Sequence, residues 1–300
     1  MKTWLIGAGL VLAFAATGRA QGRIANANVE TRSVTTTLER EIQAIASQGR
    51  AVWIGYRTAM IPGERHMCCS DSVANTGSCC GMCRLESGGG VTMTRGGDSN
   101  TGASRIVLEP PSDILIMARV ENGAIVQLRT FTPDCDIDGS AMPVVWLENV
   151  RPADSEAWLT TLVRTDTAGD RDRDNRVVRP AISALAVHPG QSAVTALVSL
   201  ARDDRRTSIR SHALFWLSQR AGQQAVSAIN NALENDPEIE VKRRAVFALS
   251  QLPADEGVPL LIQLARTHRN VEVRRQAMFW LGQSKDPRAI NFFEEVLTKK

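Results

Sequence analysis

"ALFWLSQ" (residues 213–219), "AVFALSQ" (residues 245–251) and "AMFWLGQ" (residues 277–283) are one phrase written three times, 32 residues apart. The same interval aligns Ile209 with Val241 and Val273, and Arg210 with Lys242 and Arg274. One step back it lands on Ala181 and Leu185 in "AISAL". Upstream of each phrase, Val194, Val226, Val258 and Ile290 align, as do Leu197, Ile229, Leu261 and Phe293. A fixed period between about 20 and 50 residues marks stacked supersecondary units.

Each unit reads as two helices. Val258, Leu261, Ile262 and Ala265 have helical spacing in the first helix of one unit, and the second helix is expected over about residues 273–281. Gly222, Pro253 and Pro287 punctuate the junctions. A lone helix pair cannot bury both of its sides, so stacking on neighbours must build the core. The pattern predicts that "FW" gives the sandwiched second helix a wide apolar surface. Ala213, Ala245 and Ala277 are small where helices approach closely, and "PRAINFFEEVLTKK" at the end is read as a capping half-unit.

"IRSHALFWLSQ" from Ile209, "VKRRAVFALSQ" from Val241 and "VRRQAMFWLGQ" from Val273 resemble HEAT repeats, in the short form seen in phycobilisome-lyase-type proteins. The resemblance covers roughly residues 176–300. It implies a right-handed helical solenoid, a scaffold that binds a protein partner on a curved surface.

The front half reads as a separate, cysteine-rich α+β domain. Leu38, Ile42 and Ile45 share one helical face, and Gly49 stops that helix. Residues 51–60 and 142–150 read as strands. Asn122-Gly123 predicts a two-residue hairpin turn that pairs Val120 with Ile125 and Met117 with Leu128. A helix from Ser155 joins the halves, and residues 164–176 are charged without apolar period, as in a linker. The expected division is a signal peptide at 1–20, the α+β domain at 21–150, connecting helix and linker at 151–176, and repeats at 177–300.

Lys2 followed by the apolar run of residues 4–16 and "GRA" at 18–20 reads as an export signal cleaved ahead of Gln21. The expected location is periplasmic or extracellular, with no stable membrane insertion after cleavage. Of the formal net charge of +3, residues 176–300 carry +6, from 18 Lys+Arg against 12 Asp+Glu. The front half is acidic. That balance tunes association with an acidic surface and, in an exported chain, does not define a nucleic-acid binder.

All six cysteines lie in the front half: Cys68, Cys69, Cys79, Cys80, Cys83 and Cys135. An even count in an exported chain points to three disulfides, with 15 pairings open. Two alternatives stand beside this one. His66, Cys69, Cys80 and Cys83 could ligate zinc, although a second close CxxC pair is missing. Cys80 and Cys83 of "CGMC" could form a redox pair, although the motif sits in a Gly-rich loop rather than at a helix start. Asp134, Asp136 and Asp138 faintly resemble part of a calcium loop that lacks its closing Glu, and read as a turn.

HExxH, GxSxG, a Walker loop and a GxGxxG after a strand are all missing. The expectation is therefore a protein that is not an enzyme and needs no cofactor or metal. Arg210, Lys242 and Arg274 recur, as do Asp204 and Asp236 with His268 in third place, and predict a ladder between units. Arg243, Arg244 and Arg275 have no acidic mate at the same period. With Gln219, Gln251 and Gln283 they are the candidate binding surface, for a partner with acidic groups.

Overall fold

The computed structural model describes residues 23–61, 83–86, 111–165, 171–220 and 222–298. The export segment, His66, Cys68, Cys69, Cys79 and Cys80 lie outside the described residues. The amino-terminal region is α/β and the carboxy-terminal region is a helical stack.

The α/β region runs β1 (Arg23–Ala25), β2 (Asn28–Ser33), α1 (Leu38–Ala46), β3 (Val52–Ala59), β4 (Cys83–Arg84), β5 (Asp113–Glu121), β6 (Ala124–Phe131), β7 (Asp136–Asp138) and β8 (Pro143–Glu148). Thr37 caps α1 by accepting the Arg40 N–H, and Gly49 takes the left-handed conformation (φ 70°) that ends the turn after it. Five strands form a mixed sheet in the order β2-β8-β3-β5-β6. β2, β8 and β3 run parallel, while β3, β5 and β6 run antiparallel.

Both faces of this sheet are buried, which is why β3, β5 and β8 read as nearly continuous apolar runs. Ile54, Tyr56, Ile116 and Val145 face α1 and the helices that follow the sheet. Trp53, Leu115, Met117, Val144 and Trp146 face a second, smaller sheet of order β1-β7-β4. Gly55 is required between the layers. A Cβ there would lie 2.6 Å from Met117 Sδ and 2.8 Å from Trp146 Cε3.

The hairpin turn is at Asn122 (φ 50°) and Gly123 (φ 79°), and Val120 pairs with Ile125. Met117, however, faces Arg129 rather than Leu128, because the register shifts between Arg119 and Val120. Val126 is the extra residue of a β-bulge on the partner strand. A second difference lies at 136–138. These residues form β7, the centre of the small sheet, and the turn follows at Ser140 and Ala141, both at positive φ.

The helices are α2 (Pro152–Thr165), a short α3 (Arg171–Arg173) leading through a π-helical turn (Asp174–Val178) into α4 (Arg179–Val187), then α5 (Gln191–Asp203), α6 (Thr207–Ser218), α7 (Gln223–Asn235), α8 (Ile239–Ser250), α9 (Ala254–Thr267), α10 (Val271–Gln283) and α11 (Pro287–Thr298). α5, α7, α9 and α11 are the first helices of successive units, and α4, α6, α8 and α10 are second helices. Second helices pack on one another, α4 on α6, α6 on α8 and α8 on α10. The recurrent alanines 181, 213, 245 and 277 and leucines 185, 217, 249 and 281 are buried at the seams.

The charged stretch at 164–176 differs from the linker reading. It is helical at both described ends, with Asp174 buried and Val177 and Val178 buried just beyond it. Arg173 Nη1 donates to Ile125 O of β6 at 2.6 Å, and Ser208 of α6 donates to Asp174 at 3.2 Å. One apolar cluster runs unbroken from the sheet through Trp158, Leu159 and Ile182 to Leu281 in the stack.

A polar chain is embedded in that core. His188 Nδ1 lies 2.7 Å from Ala184 O, so it carries the proton, and Nε2 accepts from Ser155 Oγ at 2.8 Å. Ser155 in turn accepts from the Tyr56 hydroxyl at 2.9 Å. Every donor is thus used by a neutral imidazole, and the chain ties β3 to α2 and α4. Burial lowers the pKa of His188 and raises that of Tyr56.

Candidate functional site

The second helices place Ser211, Phe215 and Gln219 at i, i+4 and i+8, and repeat this as Arg243, Phe247, Gln251 and Arg275, Phe279, Gln283. Positions four apart share a helix face. The arginines, the glutamines and one aromatic per unit therefore form a single surface across three helices.

The "FW" pairs do less core work than their apolarity implies. Trp216 is buried, but Phe215 and Phe247 are half-buried and Phe279 is 53% exposed. Leu214, Leu217, Val246 and Leu249 fill the seams instead. The aromatic rings line up along the stack. Phe215 and Phe247 are parallel with centroids 6.1 Å apart, Phe247 meets Trp280 at 5.0 Å, and Trp280 meets Phe279 at 5.1 Å.

Arg243 and Arg275 do have acidic mates, which the 32-residue register hides. Glu272 takes Arg243 Nη2 at 3.0 Å and Arg275 Nη1 at 3.4 Å. Glu240 adds a contact to Arg243 at 3.5 Å. Both glutamates lie a helical turn away from the arginines, on the same or the following second helix, rather than one full unit on. Arg244 is exposed and meets no carboxylate among the described residues; its guanidinium lies 5.5 Å over the Phe247 ring. Gln219 and Gln251 follow α6 and α8, each beside the hydroxyl of the preceding serine, and Gln251 and Gln283 are exposed.

His212 belongs to this face and the sequence reading missed it, together with the phenylalanines. Its Nε2 accepts the Trp216 indole N–H at 3.1 Å. Burial, with Arg179 and Arg244 nearby, lowers its pKa to about 4. It is a neutral group between two cations at physiological pH. The surface as a whole offers flat aromatic area flanked by Arg179, Arg243, Arg244 and Arg275, which suits carboxylates set around an apolar side chain.

The expected ladder occurs once. Arg210 forks onto Asp236, with Nε at 2.7 Å and Nη2 at 3.0 Å, and both side chains are buried. Lys242 donates instead to Leu233 O, because His268 stands where its carboxylate would be. The recurrent position keeps a second task in all three units. Asp204, Asp236 and His268 each accept the backbone N–H two residues on, at 2.9, 2.9 and 3.1 Å.

In the front region Cys83 lies in β4 and Cys135 just before β7, both buried away from solvent. Asp138 is held by Asn26 and the Ser140 N–H, which lowers its pKa. Among the described residues no three His, Cys, Asp or Glu side chains gather as a metal site, and no helix is long and apolar enough to cross a membrane.

Residues 226–300 match the family model for HEAT repeats, the region of the last three first helices and the second helices between them. The match does not extend into the α/β region. No curated protein matches the sequence. Among solved structures, human deoxyhypusine hydroxylase in complex with glycerol is similar at 18% identity and a TM-score of 0.33, over 47% of this chain and 43% of that one. The chain thus spans less than half the length of that structure. HEAT repeats generally mediate protein interactions, and the match covers residues 226–300 of the stack.

Proposed function

We propose that the chain is an exported, non-enzymatic scaffold whose right-handed solenoid holds a protein partner on the second-helix face. The observation that carries this reading is the row of half-exposed rings Phe215, Phe247 and Phe279 with Arg244 set on it without a carboxylate mate. A buried ring row would be core, and a row of charges alone would be a solvated face. Aromatic area beside arginine is the composition that interfaces favour. The partner presents carboxylates around an apolar side chain.

Export and disulfides in the front domain complete the proposal. Supporting the bridges, Cys83 in β4 and Cys135 just ahead of β7 are both buried, and those two strands pair with each other. Bridges of this kind constrain the unfolded chain by roughly 2–4 kcal/mol each.

The test is crosslinking and capture in the exporting host with the wild type and an Arg243→Ala, Arg244→Ala, Arg275→Ala variant. Captured partner should fall at least about tenfold, as for loss of a small hot spot. The melting temperature should move little, since exposed ion pairs contribute about 0–1 kcal/mol. Undiminished capture by the variant overturns the assignment.

A further inference from the structure

Among the described residues, α10 and α11 present a face that the earlier units explain. Ile290 and Leu297 of α11 are 53% and 83% exposed. Their register equivalents one unit back, Val258 and Ala265, are 5% and 3% exposed, covered by α10. On α10, Met278 is 38% exposed, whereas its equivalents Leu214 and Val246 are fully buried under the next second helix. Two elements therefore present the two walls of one seat. In every preceding unit its occupant is a second helix.

Arg274 supplies an independent sign of what leads that occupant. Its Nη1 donates to His268 O at 2.7 Å and Arg269 O at 3.2 Å. Arg210 holds the matching carbonyls of Asp204 and Arg205 at 2.9 and 3.2 Å, and that pose sends its Nε and Nη2 onto Asp236, just ahead of α8. Arg274 repeats the pose, yet among the described residues nothing meets its Nε or Nη2. The register position of Asp236 falls on Lys300 in this chain, a cation. Where the carboxylate was given up inside the stack, at His268, the base is Lys242 rather than an arginine fork. A fork is the geometry for a carboxylate.

We propose that the α10–α11 end face is a docking site for an amphipathic helix of a partner polypeptide, seated as the next second helix and led by a carboxylate that takes Arg274. The helix carries apolar residues at i, i+4 and i+8 against Met278, Ile290 and Leu297, with a small residue where the backbones approach. Its leading carboxylate also braces the approach to the helix, as Asp236 does by accepting the Glu238 N–H just ahead of α8. This seat adjoins the arginine–phenylalanine face at Arg275 and Phe279, but it is argued from Met278, Ile290, Leu297 and Arg274 and does not depend on that reading.

The chain's own α8 is the probe. A labelled peptide of residues 236–251 is titrated against the full chain by fluorescence anisotropy. Saturable binding is expected, weak because a peptide this short must fold as it binds. Leu297→Glu and Ile290→Glu, both at exposed positions and checked for folding by circular dichroism, should weaken it at least about tenfold. Arg274→Gln and Asp236→Asn in the peptide should each weaken it about three- to tenfold, and together no more than either alone. An Arg243→Ala, Arg244→Ala variant, altered on α8 and not on the end face, should bind the peptide as wild type does, which separates this site from the scaffold face. No saturation up to about 1 mM peptide, or equal binding by Leu297→Glu, overturns the proposal. So does a wild-type chain that sediments as a dimer dissolved by Leu297→Glu, since a second copy would then hold the seat.

Discussion

At the scale of single residues, Ser155 is the most consequential polar group in the core. It accepts from Tyr56 and donates to His188, so removing it strands two buried groups. Tyr56→Phe strands none, because Ser155 still donates to His188. Each unsatisfied buried group costs about 1–3 kcal/mol, against about 1 kcal/mol for one lost hydrogen bond. Ser155→Ala should therefore destabilise the protein by more than twice as much as Tyr56→Phe in urea unfolding. Equal losses would mean that the chain of bonds is not continuous. Two histidines with lowered pKa, His188 and His212, set an acid limit. Burial lowers the pKa of His188 and takes that of His212 to about 4, while an unfolded histidine titrates near 6.5. Below about pH 6.5 the unfolded chain binds protons that the folded one refuses. Stability from these groups is complete above that pH and is lost as pH falls toward 4. His212→Gln, which can still accept from Trp216, should flatten the slope of stability against pH between 6.5 and 4. An unchanged slope would remove His212 from the account.

At the scale of elements, the 32-residue period was readable because the same positions are buried in every unit, so burial pressure writes the same letters. The hairpin turn was readable because two adjacent residues need positive φ there. The bulge opposite Arg119 was not, since Val126 carries no glycine or other mark of a bulge. Residues 164–176 looked like a linker because charge dominates them, yet Arg173 and Asp174 make inward bonds to β6 and α6, and Val177 and Val178 just beyond them sit in the core. On the candidate face, spacing four apart already joined each arginine or serine to a phenylalanine and a glutamine. What spacing could not show is that the phenylalanine faces outward, because only the neighbouring unit decides which apolar residue is covered. The acidic mate of Arg243 was hidden for the same reason, since Glu272 reaches across from the next unit, whereas that of Arg275 is the same Glu272 three residues back on its own helix. The Arg210–Asp236 fork is the element-scale contact with the largest stake. It pins the end of α7 to α6, and both partners are buried. Arg210→Ala leaves a buried carboxylate without its cation and should cost about 3–5 kcal/mol in chemical denaturation. A cost below 1 kcal/mol would mean that water reaches Asp236 and that the units are not pinned there.

At the scale of the whole molecule, the shared core decides how the chain comes apart. The cluster that begins on the sheet continues through α2 and α4 into the stack, so no plane of few contacts divides the described regions. The stack thins toward its end. α4 buries eight of its nine residues, whereas α11 buries only Ala289 and Phe292. In an array of units, local stability follows what each unit and its neighbours bury. Hydrogen exchange should therefore show β3, β5, α2, α4 and α6 opening together at the highest free energy, with α9 and α10 below them and α11 lowest. The same logic predicts that a stack cut free at residue 171 exposes Val178 of the π-helical turn and Ile182 and Leu185 of α4, and associates nonspecifically. If the isolated stack were instead monomeric and as protected as in the full chain, the α/β region would be an attachment and not a wall of the core. A helix seated on Arg274, Ile290 and Leu297 would act in the opposite sense. It would raise protection first in α10 and α11, where the stack has most to gain.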